Sequence, residues 1–371
     1  MPQQSLAPYI PIDRRLALAT GAGLPEHAVG AALFADVSGF TPLTDTLARE
    51  LGPQRGAEEL SRQLNRIYTA LIAEVDRYHG AVIAFAGDAI TCWFDEQGAP
   101  SAALRATTCA LAMQRLMADL GELRTPGGAA VTLAIKVALS YGPVRRFAVG
   151  DPAIQLMDAL AGATISRLAL ADKAAGRGEI LATAEAVAAM GPAPQIGEWR
   201  HDEGGGPGFA TIIGLTEPTP PAPWPALDLK AVPEERLRPW LMGPVYARLA
   251  GGKGQFLAEL RPAVALFVQF DGIDYDGDPE AGPRLDAFVR WAQAIVARYG
   301  GAMLQLTIGD KGSSFYCAFG APLAHENDPA RAAQAALLLR APPPALGFIA
   351  PPRVGISQGR MRTGAYGGAT R

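Results

Sequence analysis

The stretch AVIAFAGDAITCWF, residues Ala81 to Phe94, predicts a β-hairpin with an acidic tip. β-Branched and aromatic residues lie on both sides of Gly87-Asp88, and a glycine turn that contains Asp between such runs is a strong hairpin signal. Upstream, the apolar run Ala31–Ala35 predicts a buried strand that ends at Asp36. A single Gly-Asp turn is usually structural, but two carboxylates in this order suit Mg²⁺, which binds one or two carboxylates plus substrate phosphates.

Composition limits the class of protein and its partners. A chain of 371 residues favours two domains, and 49% hydrophobic residues are enough for real cores. The net charge is -3 and no long block of either sign occurs, so neither nucleic acid nor a membrane is an expected partner. No apolar run approaches the length of a membrane span, and the N-terminus lacks the regions of a signal peptide. We expect a cytoplasmic protein.

The order of predicted elements indicates the fold class. After the first strand come two helices, the hairpin, a third helix, two strands, a fourth helix and a last strand, an α/β (α+β) arrangement of the ferredoxin-like kind. The predicted bounds are Thr41–Glu50, Gly56–Tyr78, Ala99–Leu120, Val131–Ser140, Val144–Val149, Ala161–Lys173 and Glu179–Ala182.

The pattern then returns, which indicates a tandem repeat. Four segments of the first half are echoed in register in the second half. The pairs are Ala31–Gly39 with Val264–Gly272, Arg77–Gly80 with Arg298–Gly301, Gly87-Asp88 with Gly309-Asp310, and Lys136–Gly142 with Arg353–Gly359. We expect an N-terminal extension (1–28), a first domain (29–190), a Gly/Pro-rich linker (191–261) and a second domain (262–371) that is incomplete at its C-terminus.

The two copies differ at the acidic positions. Asp36 aligns with Gln269, and a neutral amide cannot replace an anionic Mg²⁺ ligand without a large loss of affinity. Asp271 lies two places further on and faces the same side of a strand, so a ligand there stays open. The asymmetry predicts one working site shared between two halves.

These residues resemble the class III nucleotidyl cyclases, and the tandem layout is similar to the soluble adenylyl cyclase branch. The resemblance covers roughly residues 29–190 and 262–371. The motifs that carry it are FADVSGFT (Phe34–Thr41), FAGDAITCWF (Phe85–Phe94), IKVALSYG (Ile135–Gly142) and GDKGSSFYCAFG (Gly309–Gly320).

The resemblance implies two cyclase domains in a pseudo-dimer with the active site at their interface. Asp36 and Asp88 are the implied catalytic residues and, with the carbonyl of Val37, the ligands of two Mg²⁺ ions, for which Mn²⁺ could substitute. One ion would lower the pKa of the ribose 3′-hydroxyl and the other would clamp the triphosphate, so that ATP gives cyclic AMP and pyrophosphate. GTP stays open as a substrate.

A phosphate-binding loop is also implied. Ser38, Gly39, Phe40 and Thr41 open a helix whose N–H groups and dipole favour phosphate. Ser38 and Thr41 could equally be helix caps. The implied substrate contacts also include Gly87 at the hairpin turn and Lys136 at a basic position used on the triphosphate, although a solvated strand lysine is as compatible with the pattern.

The sequence departs from the family at the transition-state pair. The family places an Asn and an Arg four residues apart on a helix, and the best match puts Ala161 and Ile165 there. Neither side chain can stabilise phosphate charge, so the partner half should supply both groups, but the chain ends before that segment of the second copy. Two lysine positions are also changed: Ala84 stands four residues before Asp88, and Gln305 lies where a purine-reading lysine would be.

These departures keep a second function open. The alternative is a non-catalytic module that binds nucleotide or dimerises and regulates a fused C-terminal effector region. A diguanylate cyclase-like palm would share the strand order, but its Gly-Gly-Asp/Glu-Glu-Phe signature is missing from the sequence.

Overall fold

Two β-sheets, one from each sequence repeat, organise this chain. The computed structural model describes residues 6, 8–201, 207–228, 232–252, 259–309 and 312–364. The first sheet has eight strands in the order β2-β3-β1-β6-β8-β10-β9, with β7 paired to β6, and the second has four in the order β12-β13-β11-β14. The order β12-β13-β11-β14 repeats β2-β3-β1-β6, which confirms the tandem α/β fold.

The strands of the first half are β1 His27–Ser38, β2 Ala81–Ala86, β3 Ala89–Asp95, β4 Glu122–Arg124, β5 Ala130–Thr132, β6 Ala134–Val149, β7 Met157–Ala161, β8 Ile180–Thr183, β9 Pro194–His201 and β10 Pro207–Leu215. The strand β1 extends beyond the predicted run at both ends, whereas β6 and β8 begin later than predicted. The helices of this half are α1 Ile12–Thr20, α2 Phe40–Leu51, α3 Pro53–Arg77, α4 Ala102–Leu120, α5 Ala163–Ala174 and α6 Ala184–Met190.

The second half repeats the four sheet strands β1, β2, β3 and β6 of the first half, in the same chain order, as β11, β12, β13 and β14. Its elements are α7 Glu234–Leu237, a 3-10 turn Arg238–Trp240, α8 Gly243–Ala250, β11 Glu259–Phe270, α9 Ala281–Arg298, β12 Ala302–Gly309, β13 Gly312–Phe319, α10 Asp328–Leu339, a 3-10 turn Pro344–Leu346 and β14 Arg353–Thr363. Asp310 and Lys311, at the second Gly-Asp turn, lie outside the described residues.

The hairpin prediction is confirmed, with β2 and β3 joined at Gly87-Asp88. Two predictions on neighbouring strands are wrong. Asp36 lies inside β1, two residues before its end, because β6 pairs with β1 as far as Ser38. The two strands predicted around Gly142 are one strand, because the same ladder with β1 runs through Gly142 and holds the backbone extended.

Apolar side chains on one face of the first sheet pack against α2, α3 and α4. The amphipathic spacing of α3 puts Leu64, Tyr68 and Leu71 into this core, where each is less than 9% exposed. A second core joins the two halves: Phe147 and Val149 of β6 pack with Phe288 of α9. The end of β6 therefore reaches from the first half into the core of the second.

The described parts of the N-terminal segment and of the stretch predicted as a linker pack against the rest of the fold. β9 and β10, from the start of that stretch, extend the first sheet. Farther on, Trp240 and Leu241 pack with Leu6 and Ile10 in a small apolar cluster. Within the described ranges, none of the helices is long and apolar enough to cross a membrane.

Candidate functional site

The two predicted carboxylates lie near the C-terminal end of β1, an interior strand of the first sheet. Asp36 stands opposite Ala89 of the hairpin on one side and opposite Lys136 of β6 on the other. The N–H of Val37 donates a hydrogen bond to the carbonyl of Asp88 at 3.2 Å, which ties the hairpin tip to the strand. Asp88 is exposed, at the mouth of the site, while Asp36 is half-buried behind it.

The two carboxylates repel each other. Burial and the neighbouring charge of Asp88 raise the pKa of Asp36, and Lys136 opposes this shift. A raised pKa means that the neighbouring groups of the protein stabilise the negative charge of the carboxylate poorly. A cation between the two groups would relieve both the desolvation and the repulsion, as the chemistry of a divalent metal site requires.

Lys136 is held between two acidic residues, so it is not a solvated strand lysine. Its Nζ lies 3.4 Å from Oδ2 of Asp36 and 2.9 Å from Oδ1 of Asp172, and donates a hydrogen bond to the main-chain carbonyl of Asp172 at 3.1 Å. Burial alone would lower the pKa of Lys136, but the hydrogen bonds and charges of Asp172 and Asp36 raise it. Sequence reasoning missed Asp172.

The predicted phosphate loop is the turn between β1 and α2. Gly39 has φ +104°, and a Cβ there would lie 2.8 Å from the carbonyl of Thr132, so the turn requires glycine. Ser38 donates to the carbonyl of Ala134 at 3.3 Å, and α2 receives no side-chain cap from the part of the chain that is described. The helix-cap interpretation of Ser38 and Thr41 is therefore wrong. Phe40 is buried in the core, so only its backbone N–H could contact substrate.

A cavity of about 670 Å³ separates the hairpin from the second sheet. Gly87 and Ala84 line it from the first half, and Gln305, Leu306 and Arg261 line it from the second. Both changed lysine positions thus face the same interdomain space, which Gly87, the neighbour of Asp88 in the hairpin turn, also lines. The volume is in the range of cavities that bind small molecules.

Comparison with known proteins shows similarity to cyclases. No protein-family model matches the sequence. Over 324 residues it is 24% identical to human adenylate cyclase type 10, in a match that covers 79% of this chain and 19% of that protein. This similarity agrees with the resemblance to class III cyclases found in the sequence. The chain spans about a fifth of the length of this relative.

Two further matches cover different shares of this chain. An uncharacterized protein of Mycobacterium tuberculosis is 34% identical over 139 residues, 36% of this chain and 24% of that protein. The crystal structure of a class III adenylyl cyclase-like ATP-binding protein from Pseudomonas aeruginosa aligns with 92% of this chain and 79% of that chain, at a TM-score of 0.57 and 14% identity. This structural likeness extends the shared fold over both halves.

The family's transition-state positions are apolar here, but the predicted placement on one helix is wrong. Ala161 is the last residue of β7, and Ile165 lies on α5. Gly162, with φ +109°, separates the strand from the helix. Both side chains are buried, Ala161 with the second core and Ile165 against the first sheet, so neither can reach a phosphate.

The acidic residues fit a metal ion that is coordinated partly by the protein and partly by oxygen atoms of the substrate. Among the described residues, no three His, Cys, Asp or Glu side chains converge as a complete metal-binding group. Asp36 and Asp88 supply two carboxylates, which is the number that Mg²⁺ takes when phosphate oxygens and water complete its shell. The donor set therefore suits a cation that arrives with a nucleotide.

Proposed function

We propose that this chain carries the metal-binding half of a nucleotidyl cyclase that converts ATP to cyclic AMP and pyrophosphate. The observation that carries the proposal is the proximity of Asp36 and Asp88 beside Lys136, near the C-terminal end of β1. The names of two similar proteins, human adenylate cyclase type 10 and the ATP-binding protein of Pseudomonas aeruginosa, favour an adenine nucleotide. GTP is the competing substrate, because the amide of Gln305 in the cavity can both donate and accept hydrogen bonds.

Six of the nine predicted site residues have a task in this proposal, as metal ligands or as phosphate contacts. The carboxylates of Asp36 and Asp88 and the carbonyl of Val37 bind the metal. Bound Mg²⁺, in two sites for which Mn²⁺ can substitute, supplies Lewis-acid activation of the ribose 3′-hydroxyl and neutralises the triphosphate. The N–H groups of Phe40 and Thr41, which lack acceptors within the helix at the start of α2, donate hydrogen bonds to the phosphate oxygens.

The reaction itself forms one bond and breaks one bond. The ribose 3′-oxygen bonds to the α-phosphorus, the bond from this phosphorus to the β-phosphate oxygen breaks, and pyrophosphate leaves. The hydroxyl proton passes to water. Lys136, which reaches the edge of the site from β6, offsets the negative charge of the triphosphate and positions it for in-line attack.

A second candidate function is a nucleotide-binding regulatory module without catalysis. Ala161 and Ile165 are buried and apolar, so the first half supplies no donor for the charge that develops on the phosphate in the transition state. This candidate shares the metal and nucleotide site with the cyclase and differs only in the chemical step.

The test is the production of cyclic AMP and cyclic GMP, measured by mass spectrometry with Mg²⁺ or Mn²⁺. The variants are Asp36→Asn and Asp88→Asn, with Glu185→Gln as a matched control that removes an exposed carboxylate paired with Arg167. With a partner cyclase half that carries the Asn and Arg present in the assay, the cyclase proposal predicts product from the wild type and the control and at least a hundredfold less from both site variants. Metal-dependent ATP binding without product would select the regulatory module, and the absence of both would reject the two candidates together.

A further inference from the structure

We infer that Asp172 is a positioning residue that holds Lys136 back from Asp36 and so sets the affinity of the Asp36–Asp88 pair for a divalent cation. The inference rests on the proposed metal site and assigns a role to a residue outside the sequence motifs. Asp172 lies on α5, 36 residues after Lys136, and reaches it through the packing of this helix on β6.

The lysine is attached more firmly to Asp172 than to Asp36. Two acceptors of Asp172 lie within 3.1 Å of Nζ, the carboxylate oxygen and the main-chain carbonyl, whereas the nearest oxygen of Asp36 lies at 3.4 Å. The three side chains are each 22–26% exposed, so solvent weakens but does not cancel these charge interactions.

The position of Asp172 adds a further reason for the lysine to stay. Asp172 occupies the last turn of α5, which ends at Ala174. Carbonyl groups in the last turn of a helix carry the negative end of the helix dipole, which attracts a cation. The main-chain carbonyl of Asp172 accepts hydrogen bonds from the N–H of Ala175 at 3.2 Å and from the ammonium group of Lys136 at 3.1 Å, so the place of Lys136 beside α5 does not depend on Asp36 alone.

This arrangement removes a competitor from the metal site. A lysine ammonium and a divalent cation compete for the same Asp36 carboxylate. With Asp172 in place, Lys136 still contacts the carboxylate and the main-chain carbonyl of Asp172 when the cation binds Asp36. The charge of Lys136 then stays close enough to the site to interact with a phosphate. Without the Asp172 carboxylate, the principal remaining carboxylate for Lys136 is Asp36, and the cation must displace a stronger ion pair.

A double-mutant cycle separates this role from a direct effect of the Asp172 charge. A negative charge near the site also attracts a cation by itself, with or without the lysine. If Asp172 acts through Lys136, Asp172→Asn weakens cation binding in the wild-type background and has little effect in a Lys136→Met background. A direct charge effect would be equal in the two backgrounds.

The experiment is Mn²⁺ binding to the whole chain, followed by electron paramagnetic resonance, with thermal unfolding as a check that each variant folds. We expect Asp172→Asn to raise the dissociation constant about five- to tenfold, Asp172→Glu to restore it to within about twofold, and Asp172→Asn on Lys136→Met to change it less than twofold. Glu185→Gln, which breaks the ion pair between Glu185 of α6 and Arg167 of α5, should leave the dissociation constant unchanged.

The outcomes distinguish this inference from the proposed function. If Asp36→Asn abolishes Mn²⁺ binding but Asp172→Asn has no effect, or an equal effect in both backgrounds, the metal site stands and the role of Asp172 is wrong. If the wild type binds no Mn²⁺, or if its affinity for Mn²⁺ is no higher than that of Asp36→Asn, the metal site is wrong and this inference is wrong with it.

Discussion

Asp158→Asn should destabilise the chain strongly, because Asp158 joins the N-terminal helix to the first sheet. Its side chain is 3% exposed and pairs with Arg14 of α1 at 2.5 Å and with Arg146 of β6 at 3.1 Å. Arg146 also pairs with Asp13. The guanidinium of Arg14 lies 4.6 Å from the ring of Trp240, so the same cluster reaches the small apolar cluster around Leu6.

The magnitude follows from the burial of the partners. The side chains of Arg14 and Arg146 are 9% and 4% exposed, so loss of the carboxylate charge leaves two buried guanidinium groups with Asp13 as their principal counterion. Breaking a buried ion pair from one side costs about 3–5 kcal/mol. Urea unfolding followed by tryptophan fluorescence measures this loss, since Trp240 stacks on the cluster.

The matched control is Glu59→Gln, which breaks an ion pair on α3 whose arginine is 66% exposed. Surface pairs of this kind contribute less than about 1 kcal/mol. A loss for Asp158→Asn no larger than that of the control would refute the account of the buried cluster.

The pH dependence gives an independent check. Burial alone would raise the pKa of Asp158, but the charges and hydrogen bonds of Arg146 and Arg14 lower it. A lowered carboxyl pKa gives stability that is complete above the unfolded value of about 3.9 and is lost as the pH falls through the folded value. The difference between wild type and Asp158→Asn should be constant from pH 5 to 8 and shrink below about pH 4; a difference that grows on acidification would contradict the pairing.

Three further predictions concern backbone packing and titration. Gly30→Ala would put a Cβ 2.2 Å from a backbone oxygen and should lower the free energy of unfolding, measured with urea, by at least about 1–3 kcal/mol. Gly23→Ala, with nothing within 4 Å of the added Cβ, should leave this free energy almost unchanged. Equal losses in the two variants would contradict the packing around Gly30. Burial, with a smaller effect of the nearby Asp271 carboxylate, raises the pKa of Tyr275 to about 12. The wild type should therefore lose stability relative to Tyr275→Phe as the pH rises from 10 to 12, because the unfolded tyrosine ionises first. Alkaline unfolding of the two proteins would test this. Burial also raises the pKa of the thiols of Cys109 and Cys317, so a thiol reagent at pH 8 should label neither before urea unfolds the chain, and rapid labelling would show that they are accessible.

The elements with local signals were predictable from the sequence. The hairpin has a glycine turn between strand-forming residues, and α3 has apolar residues at helical spacing, so both follow from neighbours in the chain. The tandem arrangement was predictable for a different reason, since four echoes in register repeat the order of elements. The break predicted near Gly142 was wrong because the ladder between β1 and β6 continues through Pro143, which pairs opposite Val29.

The parts that depend on tertiary contacts were not predictable. Asp172 reaches Lys136 through the packing of α5 on the sheet, and no spacing in the sequence links the two residues. Likewise, Trp240 and Ile10 come from segments rich in Pro and Gly and pack together only in the folded chain. The signal that could have suggested Asp172 is an acidic residue in the last turn of a helix, where a basic residue is usual.

The central claim is that Asp36 and Asp88 hold a metal–nucleotide complex, and the most direct measurement is Mn²⁺-dependent binding of ATP by isothermal titration calorimetry. The account predicts binding to the wild type that disappears without Mn²⁺, is lost in Asp36→Asn and Asp88→Asn, and persists in Glu185→Gln. Equal binding by all four proteins, or binding that ignores the metal, would contradict it.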